Sequence, residues 1–144
     1  MIYKLAIIGG GPAGYTAAER AAHHGMTSVI FEQKALGGTC LNEGCIPTKA
    51  LLYSAKTYMQ ATNASKYGVS VENPSFDYAK MHSRKSKIVR KLVAGIKSKI
   101  NNDLTTFVAA EAVVTNYTPE KVTITANGET YEAENVLLCC GSDN

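Results

Sequence analysis

Two cysteines, Cys40 and Cys45, stand five positions apart in the stretch GGTCLNEGCIPTK, residues 37 to 49. On a regular helix, a rise of 1.5 Å and a turn of 100° per residue put such Cα atoms roughly 8 to 9 Å apart. A disulfide asks for about 4.4 to 6.8 Å. The pair can be bridged only if the segment leaves regular helix, which Gly44 and Pro47 permit; Pro47 also deletes the helical hydrogen bond returning to the Glu43 carbonyl. A strained disulfide near the surface is easily reduced. As a structural staple it would add little, because closing so short a loop restrains the unfolded chain by only about 2 kcal/mol. A zinc site needs four ligands. The other cysteines, Cys139 and Cys140, are adjacent in sequence, and His23, His24 and His82 have no ligand-like spacing. No metal is expected, and a redox dithiol is favoured over a metal site or inert thiols.

Upstream, GGGPAG places Gly9, Gly11 and Gly14 at the G-x-G-x-x-G spacing. Gly9 permits a tight turn, Gly11 lets backbone approach a pyrophosphate, and Gly14 lets a helix lie close on a sheet. The helix start, with Pro12 and Ala13 in its first turn, offers unpaired N–H groups to an anion. Any tight strand-to-helix turn can match this spacing by itself. Here an acidic residue, Glu32, ends the next apolar run at the distance expected of a ribose acceptor, and it would repel a 2′-phosphate. An adenine dinucleotide is therefore expected, and the loop does not separate NAD from FAD. The dithiol does: a nicotinamide passes hydride only, whereas a flavin takes hydride and passes two electrons to sulfur. FAD is favoured.

The elements that must position these groups follow from periodicity. Leu5 to Ile8 reads as a strand buried on both faces. A helix from about Ala13 to His24 carries a small-residue face, Ala17, Ala18, Ala21 and Ala22, and Gly25 suits a left-handed cap. Thr27 to Phe31 completes a βαβ unit. Pro47 to about Ala64 reads as a helix with Leu51, Leu52, Ala55 and Met59 on one side, followed by a loop holding Gly68, Asn73 and Pro74. From Phe76 to Asn102, Met81, Ile88, Leu92, Ile96 and Ile100 keep helical spacing and basic residues fall mostly elsewhere, as on a solvated outer face. FVAAEAVVTNY and KVTITANGETYEAE alternate like strands, with Asn127-Gly128 as a hairpin turn, and suggest a small antiparallel meander. Val136 to Cys140 would return to the parallel sheet and end at Gly141-Ser142. The expected class is α/β: a Rossmann-like parallel sheet with helices plus a small antiparallel β-meander.

The chain has 144 residues, enough for about one domain, and a formal charge of +3. No signal peptide or membrane span is visible at the N-terminus, so a cytoplasmic setting and no membrane partner are expected. The basic helix lacks interleaved aromatics, so no nucleic-acid partner is expected.

Taken together, GGGPAG, Glu32 and GGTCLNEGCIPTK resemble the pyridine nucleotide-disulfide oxidoreductase family, in its dihydrolipoamide-oxidising branch, along all 144 residues; mercuric and glutathione reductases carry related residues. The alternative of another class is a non-catalytic module that binds an adenine dinucleotide. The resemblance implies FAD held by Gly9, Gly11, Pro12, Ala13 and Gly14 at the pyrophosphate, Glu32 at the ribose, and Gly38 and Thr39 at the phosphate and ribityl region. It implies that Cys45 lies next to the flavin, Cys40 exchanges with the substrate disulfide, and Lys49 stands near flavin N5, where an ammonium stabilises charge on the reduced ring. Ala112 would approach the adenine, and Cys140, Gly141 and Ser142 the cofactor at the last strand's end. There the family has Ala-Thr-Gly-Ser, so Cys140 replaces a hydroxyl by a thiol and Cys139 serves as a small buried hydrophobe. The family is longer than this chain. Residues 1–144 would be the N-terminal part of an FAD-binding domain, with NAD-binding and dimerisation domains outside it. The implied partners are a lipoyl-type disulfide carried on 2-oxo acid dehydrogenase or glycine-cleavage complexes, NAD, and a second subunit of a homodimer.

Overall fold

The computed structural model describes residues 1–142. A four-stranded parallel sheet forms its centre. Strands β2 (Leu5–Ile8), β3 (Ser28–Phe31), β4 (Thr105–Val108) and β8 (Val136–Leu138) lie in the order β4-β3-β2-β8. Ala6 is in register with Val29 on one side and Val136 on the other. The LAII and SVIF runs are continuous rather than alternating because both faces of this sheet are covered. On one face Ala6, Val29 and Phe31 meet Val122, Ile124, Ala126 and Ala133 of a second sheet. On the other, Ile7 and Ile30 meet Ala18, Leu36 and Ile100 from the helical side. Successive side chains thus feed opposite cores, and a one-residue slip would exchange them.

The second sheet has the order β1-β7-β6-β5, from β1 (Ile2–Tyr3), β5 (Ala112–Tyr117), β6 (Val122–Ala126) and β7 (Glu129–Ala133). Its last three strands form the expected antiparallel meander, with Asn127 and Gly128 at φ 51° and 77° in the turn. Two features differ from the sequence expectation. Strand β1 pairs parallel with β7, although a two-residue strand leaves no periodicity to detect. Phe107 and Val108 belong to the parallel sheet, opposite Ile30 and Phe31, rather than to the meander. No glycine or proline marks the change of sheet between Val108 and Ala112, so the alternation runs through it unbroken.

Helix α1 (Pro12–His23) connects β2 to β3 and ends where Gly25, at φ 70°, turns the chain. Two helices replace the single one expected after the cysteine segment begins: α2 (Gly38–Asn42) and α3 (Cys45–Thr62), with a 3-10 turn at Ala64–Tyr67. Of the four apolar residues expected on one side of this helix, Leu51 is half-buried while Leu52, Ala55 and Met59 are exposed. Helix α4 (Tyr78–Ile100) is capped by Asp77, whose carboxylate accepts from the Lys80 amide at 3.0 Å. Strand β8 ends at Leu138, two residues earlier than the apolar run suggests, while the Cys139 amide still donates to the Ile8 carbonyl at 2.7 Å. No helix among the described residues is long and apolar enough to cross a membrane.

Candidate functional site

The C-terminal ends of β2, β3 and β8 open into one cleft of about 780 Å³, closed by the start of α1, by α2 and by the turn before β5. Ligands of open parallel sheets settle at this edge. Twelve of the sequence-derived site residues line it: Gly9, Gly11, Pro12, Ala13, Glu32, Gly38, Thr39, Cys40, Ala112, Cys140, Gly141 and Ser142.

The glycine turn is built by absence of side chains. Gly9 sits at φ 109°, and a Cβ there would lie 2.2 Å from the Cys139 carbonyl oxygen. A Cβ on Gly14 would lie 1.8 Å from the Gly9 carbonyl oxygen. Gly14 is buried and does not line the cleft; its place is under the turn, where it lets α1 close on β2. Gly11 is different. A Cβ on it would meet only the Gly38 Cα, at 3.8 Å. Its open side faces the cleft, so a side chain there would fill a cradle that the bare backbone leaves for a ligand.

Glu32 lies on the opposite side of this floor. One carboxylate oxygen accepts from the Gly10 amide at 2.8 Å and the other from the Lys34 amide at 2.7 Å. Each oxygen keeps a lone pair for a hydroxyl donor. The backbone bonds fix the carboxylate at the cleft, where a ribose would meet an acceptor already oriented.

The cysteine segment is a broken helix. After α2 the Glu43 and Gly44 amides both donate to the Thr39 carbonyl, at 2.9 and 2.7 Å, and the backbone turns at Gly44 (φ −116°, ψ −103°) before α3 begins at Cys45. The departure from regular helix that a Cys40–Cys45 bridge requires occurs at the residue expected to allow it. Pro47, in the first turn of α3, is buried; the carbonyl it cannot bond, that of Glu43, is already outside the helix. Upstream, Gly37 and Gly38 are both left-handed, at φ 100° and 58°. The Asn42 side chain holds that turn by donating to the Leu36 and Gly38 carbonyls, each at 3.0 Å.

Both thiols are free, Cys40 half-buried on the cleft wall and Cys45 exposed. They are close enough for one to act on the other. The Cys45 thiol, by its hydrogen bond to Cys40, raises the Cys40 pKa above the ordinary thiol value, with burial adding to the effect and the Lys49 ammonium opposing it. Cys45 and Lys49 do not line the cleft; Lys49 sits exposed one helical turn beyond Cys45 on α3. At the far wall the Cys140 thiol donates to the Ile8 carbonyl at 3.7 Å. Cys139 is half-buried rather than fully enclosed, lines the cleft, and is held above its usual pKa by burial and then by Cys140. Asn42 and Glu43 also line the cleft, and the sequence reading assigned neither to the site. Their position inside the cysteine motif was the available signal. Among the described residues no cluster of His, Cys, Asp and Glu is arranged to hold a metal ion.

A family model described as pyridine nucleotide-disulphide oxidoreductase matches residues 3–144. A dihydrolipoyl dehydrogenase of Chlorobaculum parvum is 41% identical over 141 residues, covering 97% of this chain and 30% of its own length. One from Mycoplasma genitalium is 38% identical over 143 residues, covering 99% and 30%. One from Geobacillus stearothermophilus is 36% identical over 136 residues, covering 94% and 29%. This chain thus spans about 30% of the length of these relatives. The fold is shared with a solved structure, the Cu(II) complex of the HOCl-induced flavoprotein disulfide reductase RclA from Escherichia coli. That likeness has a TM-score of 0.74 at 24% identity and covers 98% of this chain and 29% of the other. With a match over nearly its whole length, the chain belongs to the pyridine nucleotide-disulphide oxidoreductase family.

Proposed function

We propose that residues 1–144 form the FAD- and dithiol-bearing portion of an FAD-dependent disulfide oxidoreductase of dihydrolipoyl dehydrogenase type. In the whole protein the reaction would convert dihydrolipoamide and NAD⁺ to lipoamide and NADH. The observation that carries this reading is the helix broken at Gly44 between Cys40 and Cys45, with Cys40 on the wall of the cleft that also holds the glycine turn and Glu32. The cleft fits the cofactor on its own terms, because Gly11 presents open backbone where a pyrophosphate would lie and Glu32 presents a fixed acceptor.

FAD, when bound, supplies the two-electron carrier between sulfur and nicotinamide. The chain's own groups would do the rest. The N-terminus of α1, with its unpaired amides, would hold the pyrophosphate. Glu32 would hold the adenosine ribose, Gly38 and Thr39 the phosphate and ribityl region, Ala112 the adenine, and Cys140, Gly141 and Ser142 the opposite wall. With Cys40–Cys45 oxidised, a substrate thiolate would attack Cys40 and form a mixed disulfide as Cys45 leaves as a thiolate, and the second substrate thiolate would then close the substrate disulfide and release Cys40. Lys49 places a positive charge beside the two cysteines, which favours the anionic sulfur of Cys40. NAD and the second subunit of a homodimer would be engaged by further domains of the whole protein, in a cytoplasmic setting. The lipoyl-type substrate would be carried on a 2-oxo acid dehydrogenase or glycine-cleavage complex.

The test is spectroscopic. FAD added to the oxidised chain should bind, and two-electron reduction should bring up long-wavelength absorbance that depends on Cys45. A chain that ignores FAD and binds NAD without change at either cysteine would contradict the reading.

A further inference from the structure

Charge is divided unequally over this molecule. Residues 45–100 hold eleven of the fifteen Lys and Arg residues and two of the twelve Asp and Glu residues, a net charge of +9 against −6 for the remainder. Helix α4 alone carries eight basic residues and no acidic one. Lys80, Arg84, Lys87 and Lys91 fall at i, i+4, i+7 and i+11, which aligns them along one stripe roughly 16 Å long. Lys80 is paired with Asp77 and Lys99 with Glu19; among the described residues the other six basic side chains of α4 have no ion-pair partner.

The fold brings this stripe beside the dithiol. Arg84 reaches across to α3, donating to the Ala50 carbonyl at 3.4 Å and lying 5.7 Å from the centre of the Tyr53 ring. Ala50 follows Lys49, whose charge already acts on Cys40. Phe76 packs on Tyr58 and Arg84 on Tyr53 and Ala50, so α4 runs antiparallel to α3, and Lys87 and Lys91 follow one and two turns further along toward the end of α3 that begins at Cys45. Glu43 is the acidic residue within this segment, against Lys49, Arg84, Lys87 and Lys91. At ordinary ionic strength a charge is felt over about 8 to 10 Å, so like charges on successive turns of one helix add in their pull on an approaching anion.

We infer that the dithiol is built to meet disulfides flanked by negative charge, either on the disulfide molecule itself or on the carrier surface around it. The inference rests on the redox role proposed for Cys40 and Cys45. In the step selected, the Cys40 thiolate attacks one sulfur of the incoming disulfide. That S–S bond breaks, a mixed disulfide forms on Cys40, and one substrate thiolate leaves and takes up a proton. Cys45, losing its proton, then attacks the Cys40 sulfur and releases the second thiol. The disulfide gains two electrons and two protons, and Cys40–Cys45 is left oxidised.

The test uses the chain reduced with dithiothreitol and desalted, mixed with three small disulfides: 3,3′-dithiodipropionate (anionic), bis(2-hydroxyethyl) disulfide (neutral) and cystamine (cationic). Each rate is divided by that of dithiothreitol with the same probe, and the product is located by peptide mass. At low salt the normalised rate should fall from anionic to neutral to cationic, by about tenfold per step. At 0.5 M salt the three should converge. A Lys87→Glu/Lys91→Glu variant should slow the anionic probe, speed the cationic one and leave the neutral rate unchanged. Equal normalised rates at low salt, or a variant that slows all three probes by one factor, would overturn the inference and leave the redox role standing. If the neutral probe produces no Cys40–Cys45 disulfide, the redox role itself falls, and the inference with it. An acidic peptide carrying a central disulfide, run beside dithiodipropionate, separates carrier charge from substrate charge by which of the two is accelerated more.

Discussion

The molecule contains two glycine-marked turns into helix, one at Gly9–Gly14 and one at Gly37–Cys45, and they are built in opposite ways. The first is defined by atoms that are missing: a Cβ at Gly9 or Gly14 would fall 2.2 or 1.8 Å from a backbone oxygen. The second is defined by groups that are present. Asn42 ties two carbonyls, the Thr39 carbonyl takes two amides, and two thiols and a lysine interact across the break. A cradle for a bound anion benefits from rigidity, and a glycine turn pressed on backbone is rigid. A thiol pair that opens and closes needs local freedom, which polar ties give and close packing does not.

The first turn is most vulnerable at Gly14. Gly14→Ala should destabilise the chain by about 3 kcal/mol, because neither the Gly9 carbonyl nor α1 can move without opening the sheet. Urea unfolding measures it; a loss below 1 kcal/mol would show that the turn yields. At the second turn the effects should be smaller and more chemical. Asn42→Ala removes both bonds to the Leu36 and Gly38 carbonyls and should cost about 1 to 2 kcal/mol. It should also change the alkylation rate of Cys40, which a simple loss of global stability would not. Gly44→Ala would set a Cβ 3.1 Å from the Thr39 carbonyl oxygen, with the Thr39 carbonyl carbon and the Cys40 Cα at 3.6 and 3.7 Å, so a loss of about 1 kcal/mol is expected from the same unfolding curve.

The first turn was the more legible in the sequence for the same reason. Gly9, Gly11 and Gly14 are needed wherever backbone must touch backbone, so their spacing alone shows the geometry. The βαβ unit, α4 and the meander were equally open to periodicity. Strand β1 was not, being two residues long, and Phe107 was placed in the wrong sheet because no breaker separates β4 from β5. In the cysteine segment Gly44 and Pro47 correctly announced a break, but neither α2 nor the Asn42 ties could be read from residue type, since an asparagine side chain declares no partner until the loop is folded. The distance between Lys49 and the cleft wall likewise depends on where α3 points, which is a tertiary fact.

The smallest effect sharpens the second turn. Cys40 titrates above the ordinary thiol value chiefly because Cys45 bonds to it, while Lys49 pulls the other way. The pH at which Cys40 reacts with iodoacetamide should therefore move down in Cys45→Ala and up in Lys49→Ala, with rates followed by peptide mass. Shifts of the opposite sign would mean that the two thiols do not sense each other as described.

Whether Cys40 and Cys45 are a reversible redox pair is read by peptide-level mass spectrometry of native protein equilibrated in thiol–disulfide buffers. A redox pair should lose two hydrogen atoms, confined to a Cys40–Cys45 link, and regain them on reduction while the fold persists. Oxidation that joins other cysteines, or none, in folded protein would contradict that pairing.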